Sequence, residues 1–171
     1  RVDANQLYYA NSAKVPNRAI TNGTILSIPG KDLQLKPDAS LIKAALSVYP
    51  LLVQYDKNTN TLLISGRGKQ ITLKDILNNG GRNYLEEISP KVWHAKATIF
   101  LSDGITLRLN KSEVGWLKLE SNKKGFVMLR SVNSDIIIDG VKITSWDSEN
   151  NDYDKNLEDG RSFVMVKDNA R

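Results

Sequence analysis

Short runs of apolar residues alternate with polar ones through the second half of the chain. They fall at 98–101, 105–109, 116–119, 126–129, 136–138, 141–144 and 163–166. Each has the length of a β-strand and is too short for an amphipathic helix. Asp103-Gly104, Lys124-Gly125, Asp139-Gly140 and Asp159-Gly160 punctuate them as turns. The spacing from Ile105 to Phe126, and from Val141 to Phe163, predicts a repeat of roughly 20 residues. A short period with several strands per repeat is the pattern of a β-solenoid, whose inward residues stack in ladders from turn to turn. An antiparallel sandwich is the alternative reading of the same strands.

The first half patterns differently. Pro16, Asn22-Gly23, Pro29-Gly30 and Pro37 read as loops around a possible strand at 24–28. Residues 41–46 favour a helix, capped by Asp38 or Ser40 and stopped by Pro50. Apolar runs at 51–55 and 61–65 flank the turn residues 56–60, which predicts a hairpin. Residues 72–79 predict a short helix with Thr72 as N-cap, Asp75 three residues on, and Gly80-Gly81 as the stop.

Composition narrows the chemistry. The 171 residues contain no cysteine and one histidine, His94. Disulfides, thiol catalysis, Cys-zinc sites and His-rich metal sites are therefore excluded. No apolar run approaches the roughly 20 residues of a membrane helix. The net charge of +5 is uneven: residues 1–84 carry 11 Lys and Arg against 5 Asp and Glu, while 85–171 carry 13 against 14. A basic half attracts polyanions, either nucleic acid or an acidic polysaccharide. The aromatic residues of that half are scattered or lie in apolar runs, which disfavours nucleic acid.

The stretch from Gln70 to about Val166 resembles the mannuronan (alginate) C5-epimerases. The resemblance rests on the order of several segments. They are Ile71-Thr72-Leu73-Lys74-Asp75-Ile76, Tyr84-Leu85-Glu86-Glu87-Ile88-Ser89-Pro90, Ala97-Thr98-Ile99-Phe100-Leu101-Ser102-Asp103-Gly104-Ile105-Thr106-Leu107, Trp116-Leu117-Lys118-Leu119, Gly125-Phe126-Val127, Ile138-Asp139-Gly140-Val141-Lys142-Ile143-Thr144-Ser145-Trp146-Asp147, and Arg161-Ser162-Phe163-Val164. It implies a mainly β fold: the start of a right-handed parallel β-helix at 85–171, preceded by a small α+β cap region at 1–84. It also implies an acidic polysaccharide as partner and an extracellular, cell-surface or periplasmic location. The family's Asp-Pro-His-Asp signature is absent, and His94 precedes the first turn of that correspondence. By this resemblance the chain is the N-terminal part of such a protein, with the catalytic motif beyond it.

Epimerisation next to a uronate carboxylate needs a cation for the carboxylate, a base for the proton and an acid to return one. Arg108, Lys118, Arg130 and Lys142 lie on or beside predicted strands and are the candidate substrate-binding cations. Trp93, Trp116 and Trp146 are candidates for stacking on sugar rings, with core packing as the alternative. The acidic stretch from 147 spaces oxygen ligands at alternate positions. Asp147, Glu149, Asn151 and Glu158 are thus candidate ligands for calcium, although Asp152 stands where a calcium loop needs glycine. Asn22 and Asn110 open N-glycosylation patterns.

Three functions fit these residues. One is an epimerase-like protein acting on an acidic polysaccharide. The second is a non-catalytic module that binds such a polymer. The third is a structural surface or filament protein. An open solenoid edge near 163–166 further implies either continuing chain or self-association there.

Overall fold

The structure, a computed structural model, describes residues 50–168. The expected strand at 24–28, the helix at 41–46 and the Asn22 pattern lie outside the described residues. The described ones belong to one unit, Tyr49–Arg171.

The expected hairpin opens it. Strands β1 (Leu52–Asp56) and β2 (Thr61–Ser65) pair antiparallel around the 57–60 turn. Asp56 accepts from the Asn58 amide and the Thr59 hydroxyl, which fixes that turn. Next come β3 (Gln70–Ile71) and the four-residue helix α1 (Leu73–Ile76). Thr72 caps α1 in a reciprocal capping box with Asp75. A π-helical turn, Leu77–Gly81, follows, and Gly80 ends it at φ +124°. Leu73 and Ile76 are buried in the core.

The remaining strands are β4 (Leu85–Ser89), β5 (Val92–Ala95), β6 (Thr98–Ser102), β7 (Thr106–Asn110), β8 (Trp116–Asn122) and β9 (Gly125–Phe126), then β10 (Leu129–Val132), β11 (Asp135–Asp139), β12 (Lys142–Asp147), β13 (Asp152–Tyr153) and β14 (Val164–Lys167). They form three sheets. The first runs β1-β2-β6-β10-β14, the second β11-β7-β3, and the third β13-β12-β8-β5-β4. The chain visits the sheets in turn. It passes through β2, β3 and β5, returns through β6, β7 and β8, returns again through β10, β11 and β12, and enters β14. Pairing between these passes is parallel. Only the local pairs β1–β2, β4–β5, β8–β9 and β12–β13 are antiparallel. This pattern is not that of the antiparallel sandwich.

Register stacks like residues. Leu62, Ile99, Leu129 and Val164 align in the first sheet. Ile71, Leu107 and Ile136 align in the second. Trp93, Leu117 and Ile143 align in the third. Apart from Val164, which is exposed, these ladders build the core, and Leu62, Ile99, Leu107, Leu117 and Leu129 are fully buried. Period-two alternation puts the polar residues between them on the outer faces.

One expectation needs correction. The repeat is 37, 30 and 35 residues along the Leu62–Ile99–Leu129–Val164 ladder, not about 20. Each pass carries three strands and their corners. The apparent match at Phe126 is a local hairpin of β9 on β8, which belongs to no pass. Strands β2 and β3 pair directly with β6 and β7.

The corner after the first sheet recurs in one conformation. Asp103, Asn133 and Asp168 each follow the end of a first-sheet strand, and their φ angles are +61°, +50° and +52°. Asp and Asn are the non-glycine residues that tolerate this left-handed region best.

Candidate functional site

The outer face of the third sheet collects the chemistry. On β8, Leu117, Leu119 and Ser121 are buried beneath the sheet, while Trp116, Lys118, Glu120 and Asn122 occupy the alternate positions. Register sets His94 beside Lys118 and Lys118 beside Thr144. Lys142 aligns with Trp116, and Trp146 with Glu120.

One half of this face is aromatic and cationic. Trp116 and Trp146 meet edge to face at 5.3 Å, and Tyr153 lies 5.8 and 5.7 Å from their rings. The Trp116 indole N–H donates to Thr144 Oγ1 at 2.8 Å. Lys118 Nζ lies 3.2 Å from the Trp146 centroid and 4.3 Å from that of Trp116. Lys142 Nζ lies 4.0 Å from the Trp116 centroid and donates to the Tyr153 hydroxyl at 2.6 Å. Only 7% of Lys118 is exposed. Burial lowers its pKa from the ordinary lysine value; Tyr153 opposes this and the Lys142 charge adds to it. Among the described residues neither ammonium has a carboxylate partner. The cluster is therefore an aromatic surface carrying two adjacent, unneutralised cations.

The other half is a groove of about 620 Å³ lined by Glu86, His94, Lys96, Glu120, Phe126 and Ser148, among others. His94 Nε2 lies 2.6 Å from Glu120 Oε2. The other carboxylate oxygen of Glu120 accepts from Asn122 Nδ2 at 2.7 Å and Ser148 Oγ at 2.8 Å. His94 Nδ1 is 3.6 Å from Glu86 Oε1, and that oxygen pairs with Lys96 Nζ at 2.8 Å. The Lys96 hydrogen bond is the main cause holding the Glu86 carboxyl below its ordinary pKa, and burial opposes it.

The expected cations divide. Lys118 and Lys142 come together in the aromatic cluster. Arg108 lies exposed on β7 in the second sheet. Arg130 lies on β10 in the first, its guanidinium 5.0 Å from the Phe100 centroid. Three sheets with different outward directions separate residues that share one polar alternation in sequence. Of the tryptophans, Trp93 is core and the other two form the cluster.

The candidate calcium ligands make contacts of their own. Among the described residues no three His or carboxylate side chains come close enough to hold a metal ion. Asp147 spends both oxygens on the turn, accepting from the Glu149 and Asn150 amides and from Asn150 Nδ2. Glu149 pairs instead with Lys124 at 2.6 Å. Asn151 takes φ +50° to close the β12–β13 hairpin. Glu158 lies beyond that hairpin, where its amide donates to Asn156. Asp154, from the same acidic stretch, is buried and accepts from Ser121 Oγ at 2.6 Å. Asn110 accepts from both the amide and the hydroxyl of Ser112.

The His94–Glu120 contact is not visible along the chain. Its signal is parity: on β5, Trp93 points into the core, so His94 points out. Only the β5–β8 register brings it to Glu120.

The fold has solved counterparts. The chain is similar to the periplasmic alginate epimerase AlgG, with a TM-score of 0.50 and 18% identity over 62% of this chain. A variant of the same protein matches with a TM-score of 0.48 at the same identity. The chain spans about a quarter of that structure's length, 24%. No family model and no curated protein matches the sequence. At this identity the likeness shows the fold, a mostly β chain in several sheets. Among the described residues no helix is long and apolar enough to cross a membrane.

Proposed function

We propose that this chain is part of a mannuronan C5-epimerase-like protein. Its right-handed parallel β-helix holds an acidic polysaccharide on the outer face of the third sheet, in the periplasm or outside the cell. One observation carries this reading: Lys118 and Lys142 share the Trp116–Trp146–Tyr153 surface, and among the described residues neither has a carboxylate partner. Two ammonium groups held together repel, and an anion between them relieves that repulsion. Aromatic faces add a stacking surface for sugar rings. A uronate residue supplies both the carboxylate and the ring. The likeness of fold to an alginate epimerase supports the same substrate class.

The test is affinity electrophoresis of the chain in gels containing alginate or uncharged dextran. Alginate retards the protein, and Lys142→Gln and Trp116→Ala each reduce the retardation. Equal retardation in dextran, or no change in the folded variants, overturns the reading.

A second reading has its own observation. Phe163, Val164 and Val166 are exposed apolar residues at β14. They support an edge that pairs with further strands or with a second copy.

A further inference from the structure

We propose that Lys118 takes up carbon dioxide reversibly as a carbamate, and that the carboxylate so formed pairs with Lys142. The uptake is a property of the aromatic cluster itself. Its consequence, regulation of anion binding there, rests on the acidic-polysaccharide reading of the same face.

A carbamate needs an amine that is neutral part of the time, an electrophile that reaches it, and groups that hold the new charge. An exposed lysine meets the first condition poorly. With an ordinary pKa it is neutral for only about 0.4% of the time at pH 8. Lys118 is placed differently. It is buried on the outer face of β8, with Nζ 3.2 Å from the Trp146 ring centre and 4.3 Å from that of Trp116. Ring faces attract an ammonium more weakly than a carboxylate at hydrogen-bond distance does. Among the described residues no carboxylate pairs with it. Burial first, and the Lys142 charge with it, lower its pKa against the opposing influence of Tyr153.

The electrophile suits the surroundings. Carbon dioxide is small and uncharged, so it enters an aromatic surface without the desolvation cost that a hydrated ion meets there.

The receiving groups are also in place. Lys142 Nζ lies 4.0 Å from the same Trp116 ring centre. Thr144 is the register partner of Lys118, and its hydroxyl accepts from the Trp116 indole at 2.8 Å. The Tyr153 hydroxyl accepts from Lys142 at 2.6 Å. Each hydroxyl keeps its own hydrogen for a further acceptor. The cluster thus offers an ammonium and two hydroxyl hydrogens, and among the described residues no anion is there to use them.

The step balances with carbon dioxide as its one co-reactant. The Lys118 ammonium gives a proton to water. The freed lone pair attacks the carbon, an N–C bond forms, and the electron pair of one C=O bond moves onto oxygen. The nitrogen then loses a second proton to solvent. The product is N–COO⁻, with two protons released and nothing oxidised or reduced. Two repelling ammonium groups become an ion pair. Lys142 is then engaged within the protein, so the surface loses its hold on a polymer carboxylate.

The experiment equilibrates the full chain with ¹³C-bicarbonate at pH 8, then adds triethyloxonium ion, which converts a carbamate into a stable ethyl ester. Peptide mass mapping locates the ester. Affinity electrophoresis in alginate gels is run in parallel, with bicarbonate or with chloride at equal ionic strength. The expected result is an ester on Lys118 above the level of the exposed lysines, lower in Lys142→Gln and absent in Lys118→Met. Retardation of the wild-type chain falls in bicarbonate, and that of Lys118→Met does not change. Label only at the amino terminus or spread evenly over exposed lysines overturns the proposal, whatever the gels show. Equal label in folded Lys142→Gln overturns the pairing with Lys142. Label on Lys118 without retardation in any alginate gel supports the carbamate and overturns the polysaccharide reading. Retardation that bicarbonate leaves unchanged, with Lys118 labelled, overturns the regulation. If Lys118→Met does not fold, the peptide map of the wild-type chain decides.

Discussion

Lys118 Nζ lies 3.2 Å from the centre of the Trp146 ring, on the outer face of a sheet where a lysine ordinarily reaches into water. The ring quadrupole offsets part of the cost of removing that ammonium from solvent. The remainder shows as a lowered pKa, caused first by burial. The unfolded chain therefore holds the Lys118 proton more tightly than the folded one. Linkage then adds stability as pH rises from the folded pKa toward the ordinary lysine value of 10.5, and none below the folded pKa. At pH 7 the buried charge is a net cost.

The expected outcome is that Lys118→Met, which keeps the length and removes the charge, leaves the melting temperature at pH 7 unchanged or raises it. The same variant weakens alginate binding. Parallel melts at pH 7 and pH 10 check this, because the advantage of Lys118→Met shrinks at the higher pH. A variant that melts lower at pH 7 shows that the cation–aromatic contact outweighs burial.

Glu86 titrates in the opposite sense. Its folded pKa lies below the ordinary glutamate value of 4.5, with the Lys96 hydrogen bond as first cause. Its contribution is present above 4.5 and is lost as pH falls through the folded value. Glu86 is well exposed, so solvent screening keeps the contribution small. Lys96→Gln is therefore expected to lower the plateau near neutrality slightly, leave stability at the lowest pH unchanged, and so flatten the acid limb of the stability-against-pH curve. Urea unfolding from pH 3 to pH 7 measures both parts of the curve.

Local structure was legible wherever a residue's role depends on its near neighbours. The 51–65 hairpin, the Thr72 cap and the strands after residue 97 follow from alternation, turn residues and capping chemistry. The repeat length was not, because Phe126 imitates a strand of the next pass while pairing back onto Ser121. The site was half legible. Lys118 and Lys142 follow from outward parity on strands, but parity cannot say that Arg108 and Arg130 belong to other sheets. His94 required the register of β5 on β8, a contact across 26 residues. Asp147 and Glu149 look like ligands in sequence because turn-forming and metal-binding oxygens share the same spacing. In the structure these oxygens bond within the turn and to Lys124.

Thr72 tests how far one cap carries the first turn. Its hydroxyl accepts from the Asp75 amide, while its own amide donates to Asp75 Oδ2 at 2.8 Å. Thr72→Ala removes one half of this box and leaves α1 with four residues and no side-chain cap. A loss of about 1 kcal/mol is expected, the usual scale for an N-cap. Thr72→Ser retains the hydroxyl and recovers most of it. Equilibrium denaturation of the two variants separates the cap from the loss of a methyl group.

Asn133 tests the corner. It sits at φ +50°, in the position that Asp103 and Asp168 occupy on the neighbouring passes. Its amide donates to the Asp168 carbonyl at 3.0 Å, and its carbonyl accepts from Gly104 at 2.9 Å. Backbone bonds of this kind are indifferent to the side chain, but the left-handed conformation is not. Asn133→Ala retains the bonds and places a poorly tolerant residue there, with an expected cost of about 1–2 kcal/mol. Asn133→Gly removes the same side chain and restores the conformational freedom, so its expected cost is smaller despite the entropy that glycine adds to the unfolded chain. If the corner is held by its backbone conformation, alanine is the worse substitution. If the Asn133 side chain were the stabilising element, glycine would be at least as costly, and one pair of urea titrations decides between them.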